Sequence, residues 1–353
     1  MRLAPGVLNM TIARAHLIDP AVSRWYHCIT RCVRHARLLG DAAMDRKTWI
    51  ERRLQELAEI FAVAVGGFAV LDNHLHVLVR LDPDVAIDWS DEEVARRWGR
   101  LFPPRDGTRR ALAVTDQWIQ EKLKDAAWIA RTRQRLQSLS WLMKCLKEPL
   151  ARMANRQDQT RGAFFEGRFK SVAILDEESL LATCAYIDLN PVAAGIAPTP
   201  EESDHTSIKE RVDHVRSQRR VGDLKAARRG SAAGSQAARD MEEGLWLCPI
   251  EDRRRLDSKR EGMIEGFSLG NYLLLVDYTG RLFREGKARI SQNLEEILDR
   301  LGSSPEQWQA RLLKLGGSRL LGRFFAATRQ RLRETAQQLG LRKLPNFGGC
   351  PTT

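Results

Sequence analysis

The chain has 353 residues, 43% of them apolar and 29% charged, with a formal net charge of +12. This is the balance of a globular protein large enough for one large or two ordinary domains, and its basicity suits a nucleic-acid partner, an anionic surface or plain solubility. No apolar run is long enough for a membrane span, and the six scattered cysteines form no Cys-x-x-Cys pair, which argues against a zinc ribbon or a disulfide framework. Arg2 is followed by no long apolar stretch, so no secretory signal is expected. Met10 offers a second start after a nine-residue leader, and the expected setting is cytoplasmic with reduced, buried thiols.

In chain order, residues 24–33 are rich in aromatic and β-branched side chains and predict a first strand. Arg34, His35 and Arg37 follow as a basic connection. Ile50, Leu54, Leu57, Ile60 and Phe61 recur at helical spacing, predicting a helix from about Arg46 to Ala64, with Gly66-Gly67 as its terminator. Phe68 to Leu71 reads as a short strand. Asp72-Asn73 then makes a tight bend into a second strand that carries His74 and His76 and runs to about Arg80.

Residues 82–137 interrupt this order and read as a helical insertion packed over one edge of the core. Ser90 with Glu93 is a capping box for a helix to about Phe102. Pro103, Pro104 and Gly107 break it, and a long helix follows from about Asp116. Leu139 to Asn155 predicts an amphipathic helix whose methionines belong to the core. Gly162 to Ile174 reads as a strand bent at its glycines, and Glu177 to Leu189 as a helix ended by Asn190-Pro191. Residues 201–262, with Arg219-Arg220, Arg228-Arg229 and Arg253-Arg254-Arg255, read as a flexible or partly helical basic linker. Beyond them, Tyr272 to Tyr278 predicts a strand. Asn293–Leu301 and Pro305–Leu315 predict helices, and Arg319–Leu339 a last helix ending at Gly340. No internal repeat is visible.

Strand side chains alternate between faces, so His74 and His76 project together, a ready metal-binding pair or a pair satisfied by neighbours on the sheet. Tyr186 and Asn190 are four apart on one helix, so they share a face. If the two faces meet, the imidazoles and the Asn190 oxygen form a set for Mg²⁺ or Mn²⁺, with positions open for a phosphate oxygen. Tyr186 is then placed to attack that phosphate and become a covalent phosphotyrosine. The competing readings are a half-buried tyrosine bonded to backbone and an Asn190 that caps the next turn. Asp188, two residues from Tyr186, points away and is a minor ligand candidate. Arg168 and Lys170 alternate on their strand and share a face, suited to a DNA backbone or to solvent.

These motifs, in order, resemble the single-tyrosine HUH transposases, in particular the REP-associated tyrosine transposases and their insertion-sequence relatives. The resemblance rests on Asn73-His74-Leu75-His76, on Gly167 to Ser171, on Tyr186 to Gly195 with Asn190-Pro191 inside it, and on Tyr26-His27 and Thr30-Arg31. It covers about residues 10–200 and skips the insertion. It departs at Leu71-Asp72, where many relatives have Met-Pro, and at Phe165, where tryptophan is common.

The resemblance implies an α+β fold with a ferredoxin-like antiparallel sheet, helices on one side, and a mainly helical C-terminal extension. It implies a metal-dependent endonuclease and strand transferase acting on single-stranded or hairpin DNA in transposition. Tyr186 would keep the 5′ phosphate while a free 3′-OH leaves; His74, His76 and Asn190 would hold Mg²⁺ or Mn²⁺; and Arg31, Arg168 and Lys170 would contact DNA. The expected division is a catalytic domain over 1–200, a basic linker over 201–262 and a helical accessory region over 263–345 that aids DNA binding through Arg319, Arg323, Arg329 and Arg331. Relatives work both as monomers and as dimers, so the oligomeric state stays open. The other readings are a domesticated, non-catalytic hairpin-binding protein and a metal-binding regulator whose basic surface is incidental.

Overall fold

In the computed structural model of the chain, the described residues are 18–40, 45–223, 241–252, 261–285, 303–316, 324–326 and 329–340. The protein is α+β. Its central sheet contains β1 (Trp25–Arg31), β2 (Val63–Val70), β3 (His74–Leu81) and β4 (Lys170–Ile174), in the order β2-β3-β1-β4 with antiparallel neighbours. That order is the ferredoxin-like one. A two-residue strand, β5 (Phe324–Phe325), extends the edge in parallel with β4.

Helices cover both faces of this sheet, where one was expected. The reason is written in the strand alternation. Tyr26 and Cys28 of β1 and Leu75, Val77 and Val79 of β3 are buried on one face beneath α1 (Arg46–Ile60) and α6 (Leu139–Gln157). On the other face Leu78 of β3 and Val172 and Ile174 of β4 are buried under α7 (Glu177–Ala193). With apolar side chains on both faces, the sheet needs two covers.

Gly66-Gly67 does not end a helix. α1 stops at Ile60, and the glycines lie inside β2, where the register shifts between Val65 and Gly67. A β-bulge inserts one residue, which puts Val65 and Phe68 into the same core although they are three apart. A Cβ on Gly66 would lie 2.7 Å from the Trp25 ring, so the bulge needs a glycine there.

Between β3 and β4 the chain forms α2 (Pro83–Asp88), α3 (Asp91–Leu101), α4 (Asp116–Leu123) and α5 (Ala126–Leu136) before α6. Ser90 caps α3 by accepting from the Glu93 amide at 3.1 Å. The single long helix expected from Asp116 is two, because Asp125 caps α5 at the Trp128 amide, 2.8 Å away. These helices pack at the end of the β2–β3 hairpin: Ala62 donates to Leu136 O and Asp82 to Ala62 O, both at 2.9 Å. Ile119, Ile129 and Leu136 join the α1 core.

α7 runs on through Pro191, where it was expected to stop. Proline lacks an N–H, and in the last turn this costs one helical bond; the ring is buried. The helix ends two residues later, at Ala193, in a Schellman motif: Ile196 N donates to Pro191 O at 2.8 Å and Gly195 N to Val192 O at 3.1 Å, with Gly195 at φ +70°.

Within the segment read as a linker, Ser207–Ser217 forms α8, with Ile208, Arg211 and Val215 buried. Tyr272 to Tyr278 is helical, where a strand was expected: Tyr272, Leu275, Val276 and Thr279 are buried at helical spacing within α9 (Leu269–Glu285). α10 (Pro305–Gly316) is capped by Ser304, whose Oγ accepts from Gln307 N at 3.2 Å. The last predicted helix is shorter, α11 (Arg329–Gln338), because Phe324 and Phe325 form β5 and send one ring into each core. Gly340 follows α11 at φ +63°. The helix expected at Asn293–Leu301 lies outside the described residues. Among the described residues, no helix is long and apolar enough to cross a membrane.

Candidate active site

β3 carries His74 and His76, and its pairing with β1 decides what stands beside them. His74 lies opposite Arg31 and His76 opposite Ile29. Cross-strand partners share a face, and here it is the face covered by α7. The two imidazole centroids are 4.8 Å apart. The Tyr186 ring sits edge-on to His76 at 5.6 Å, and Asn190 Nδ2 is 3.4 Å from His76 Nε2. The strand face and the helix face therefore meet. Asn190 lies inside α7, so it does not cap a following turn, and Tyr186 is half-buried with Asn190 as a hydrogen-bond partner.

Both histidines are oriented through Nδ1. His74 Nδ1 is 2.6 Å from Asn73 Oδ1, and His76 Nδ1 is 2.8 Å from His27 Nε2 on β1. The Asn73 bond requires a proton on His74 Nδ1 and leaves its Nε2 as a lone pair. His76 reaches the same state when its Nδ1–H donates to His27. That tautomer also lets His76 Nε2 accept from the Asn190 amide.

Burial keeps these rings neutral. It pulls the His74 pKa down to about 4, helped by the positive charge of Arg31 and by His35. It pulls His27 down to about 3. His76 lies well below its ordinary value through burial and through His27, His74 and Arg31. Neutral imidazoles with fixed Nε2 lone pairs are the form a metal takes. Among the described residues no three His, Cys, Asp or Glu side chains are arranged to hold a metal. The donor set is thus two imidazoles and the Asn190 amide, after rotation of its oxygen toward them. This set fits a divalent ion with open positions.

The Tyr186 hydroxyl is held above its ordinary pKa by burial, against the hydrogen bond with Asn190 and the charge of Arg31, which pull it down. Asp188 belongs elsewhere. It is buried on the opposite side of α7, where it accepts from Ser207 Oγ at 2.6 Å, from Ile208 N at 3.0 Å and from the Tyr272 hydroxyl.

A cleft of about 500 Å³ is lined by Ile29, Thr30, Arg31, Glu166, Gly167, Arg168, Phe169 and Lys170, of which Ile29 and Arg31 stand opposite His76 and His74 in the sheet. Arg31, Arg168 and Lys170 therefore share one concave surface. Arg168 reaches it from the loop before β4, which starts only at Lys170, so the two do not alternate along a strand. Among the described residues none of these three cations has a carboxylate partner. Arg319 and Arg323 lie outside the described residues. Arg329 opens α11, while Arg331 donates to Leu175 O at 3.2 Å and pairs with Glu334.

No family model and no curated protein matches the chain. Among solved structures, a REP-associated tyrosine transposase bound to a REP hairpin is similar over 54% of this chain and 80% of that one, with a TM-score of 0.33 and 12% identity. A likeness of that degree carries no functional weight.

His27 also belongs to the site, through its contact with His76. The alternation of β1 does place it on the same face as Arg31. Its contact with His76, however, is diagonal: its direct partner on β3 is Leu78. Only the strand register shows it.

Proposed function

We propose that the chain is a metal-dependent enzyme that nicks and rejoins single-stranded or hairpin DNA, with Tyr186 as nucleophile. The observation that carries this reading is the meeting of Tyr186, His76 and Asn190, from a helix and a strand, next to a basic cleft. His74, His76 and Asn190 would hold Mg²⁺ or Mn²⁺, which would supply Lewis-acid polarisation of the scissile phosphate. Arg31, Arg168 and Lys170 hold the backbone. The Tyr186 oxygen attacks phosphorus and its proton passes to water. The P–O3′ bond breaks, the 3′ oxygen takes up a proton, and the 5′ phosphate stays on Tyr186. Attack by a 3′-OH reverses these steps, so strand transfer needs no external energy. In the element that encodes it, such an enzyme would act as a transposase.

A second reading, a hairpin-binding protein that no longer cuts, is favoured by one observation: burial raises the pKa of Tyr186, which holds the phenol protonated. One experiment separates the two. Hairpin oligonucleotides from the DNA flanking the gene are incubated with protein and Mg²⁺ or Mn²⁺ and run on a denaturing gel. A protein–DNA adduct that disappears with Tyr186→Phe and with a chelator supports the nuclease. Binding without an adduct in either metal overturns it.

A further inference from the structure

The helices between β3 and β4 carry a second surface, built from residues that do not line the basic cleft. Trp98 on α3, Phe102 just beyond it and Trp141 on α6 form one aromatic cluster. Trp98 lies 4.6 Å from Phe102 and 5.5 Å from Trp141, and Phe102 meets Trp141 edge-on at 6.3 Å. Trp98 is buried and Trp141 half-buried, but Phe102 leaves 41% of its surface in solvent. Over the Trp141 ring lie the Arg135 guanidinium at 4.6 Å and the Lys144 ammonium at 4.5 Å.

The loop after Phe102 adds Arg105, Arg109 and Arg110, all exposed. Asp106 holds this loop compact: its Oδ1 accepts from Thr108 N and Arg110 N at 2.9 Å and from Thr108 Oγ1 at 2.7 Å. Arg105 Nη1 donates to Arg109 O at 2.6 Å.

Charge pairing divides this region in two. The arginines of α3 are paired: Arg96 with Glu92 and Asp116, Arg97 with Glu93, and Arg100 with Glu59. Arg105, Arg109, Arg110, Arg135 and Lys144 have no carboxylate partner among the described residues. The cations without carboxylate partners thus lie over Trp141, whose ring meets Phe102, and in the loop that follows Phe102 in the chain. Cation–π packing explains why Arg135 and Lys144 lie on Trp141. It explains neither the exposure of Phe102 nor the loop arginines.

We propose that this face is a second DNA platform, which stacks an unpaired base on Phe102 and holds the adjoining phosphates with Lys144, Arg135 and the loop arginines. An exposed aromatic ring among unpaired cations is what a single strand requires, because its base faces are free; a duplex hides them. The choice of DNA rests on the nicking reading above, and the platform extends that substrate to unpaired strand beyond the cleft.

The test is fluorescence anisotropy with a labelled oligo-dT and a blunt duplex of equal length. Full-length wild type, Phe102→Ala, Phe102→Trp and Lys144→Ala are compared, with Tyr186→Phe alongside. Phe102→Ala should weaken oligo-dT binding at least roughly fivefold, leave duplex binding unchanged, and be rescued by Phe102→Trp. Lys144→Ala should lower the log–log salt slope for oligo-dT by about 0.7. Wild-type affinity and slope in Phe102→Ala and Lys144→Ala would overturn the platform, as would displacement of oligo-dT by poly-glutamate at equal charge. The two proposals fail separately. Selective loss of oligo-dT binding without any adduct from wild type sinks only the nicking reading; a hairpin adduct with unchanged oligo-dT binding sinks only the platform.

Discussion

His27 Nε2 stands 2.8 Å from His76 Nδ1, behind the imidazole that faces Asn190. Both rings are buried and neutral, so one proton lies between the two nitrogens. When it rests on His76 Nδ1, the His76 Nε2 lone pair is aimed at the site.

Replacing His27 should therefore weaken metal binding while leaving all the direct donors in place. His27→Phe keeps a ring but removes the acceptor, and is expected to lower Mn²⁺ affinity roughly 10- to 100-fold by titration calorimetry. His27→Gln keeps an acceptor and should recover part of the loss. Equal affinities in wild type and His27→Phe would refute the orienting role.

The cleft cations make a separable prediction. Arg168→Ala and Lys170→Ala should each weaken hairpin binding and reduce its log–log salt slope by about 0.7 to 0.9, as expected for one lost phosphate contact. Neither should change Mn²⁺ affinity, since neither touches the histidines. Unaltered slopes would mean that DNA does not run through the cleft.

Asp188 ties α7 to α8 and α9 through three donors: Ser207 Oγ, Ile208 N and the Tyr272 hydroxyl. Asp188→Ala leaves Ile208 N and the Tyr272 hydroxyl buried without that acceptor, at about 1–3 kcal/mol each, while Ser207 Oγ keeps Phe68 O as an acceptor at 3.2 Å. A loss of about 3 kcal/mol or more is expected in urea unfolding, with a smaller one for Asp188→Asn, which keeps an acceptor. A change below about 1 kcal/mol would show that water or other groups replace the carboxylate.

Stability should also depend on pH through Glu210. Burial, together with the hydrogen bond and repulsion from Glu51, pushes its pKa up to about 7. Glu51 itself stays below its ordinary value because hydrogen bonds from His205 and Glu210 outweigh its burial. The folded state thus binds a proton on Glu210 more tightly than the unfolded chain. The associated stability is present below the unfolded value of 4.5 and is lost as pH rises through about 7. Thermal melts from pH 5 to pH 8 should show wild type losing more than Glu210→Gln, and the variant melting higher at pH 8. Parallel profiles would rule this out.

Local patterns made much of this protein legible. The alternation of β3 put His74 and His76 on one face. The i, i+4 spacing on α7 put Tyr186 beside Asn190. Ser90, Ser304 and Gly340 marked helix ends, because caps depend on a few neighbouring residues. Some local signals have two physical uses. Glycine can end a helix or permit a bulge, and Gly66-Gly67 sits in a bulge. An apolar run can be a buried strand or a buried helix, and Tyr272 to Tyr278 is a helix.

Backbone periodicity, legible in the residue order alone, sets which side chains each strand or helix presents together. The tertiary structure decided which of those faces meet. Pairing of β1 with β3 brought His27 to His76 and Arg31 to His74, and packing of α7 across that face brought Tyr186 and Asn190 to the histidines while turning Asp188 toward Ser207 and Tyr272. Strand register and helix docking are set by apolar burial summed over residues far apart in the chain, so short spacings do not contain them.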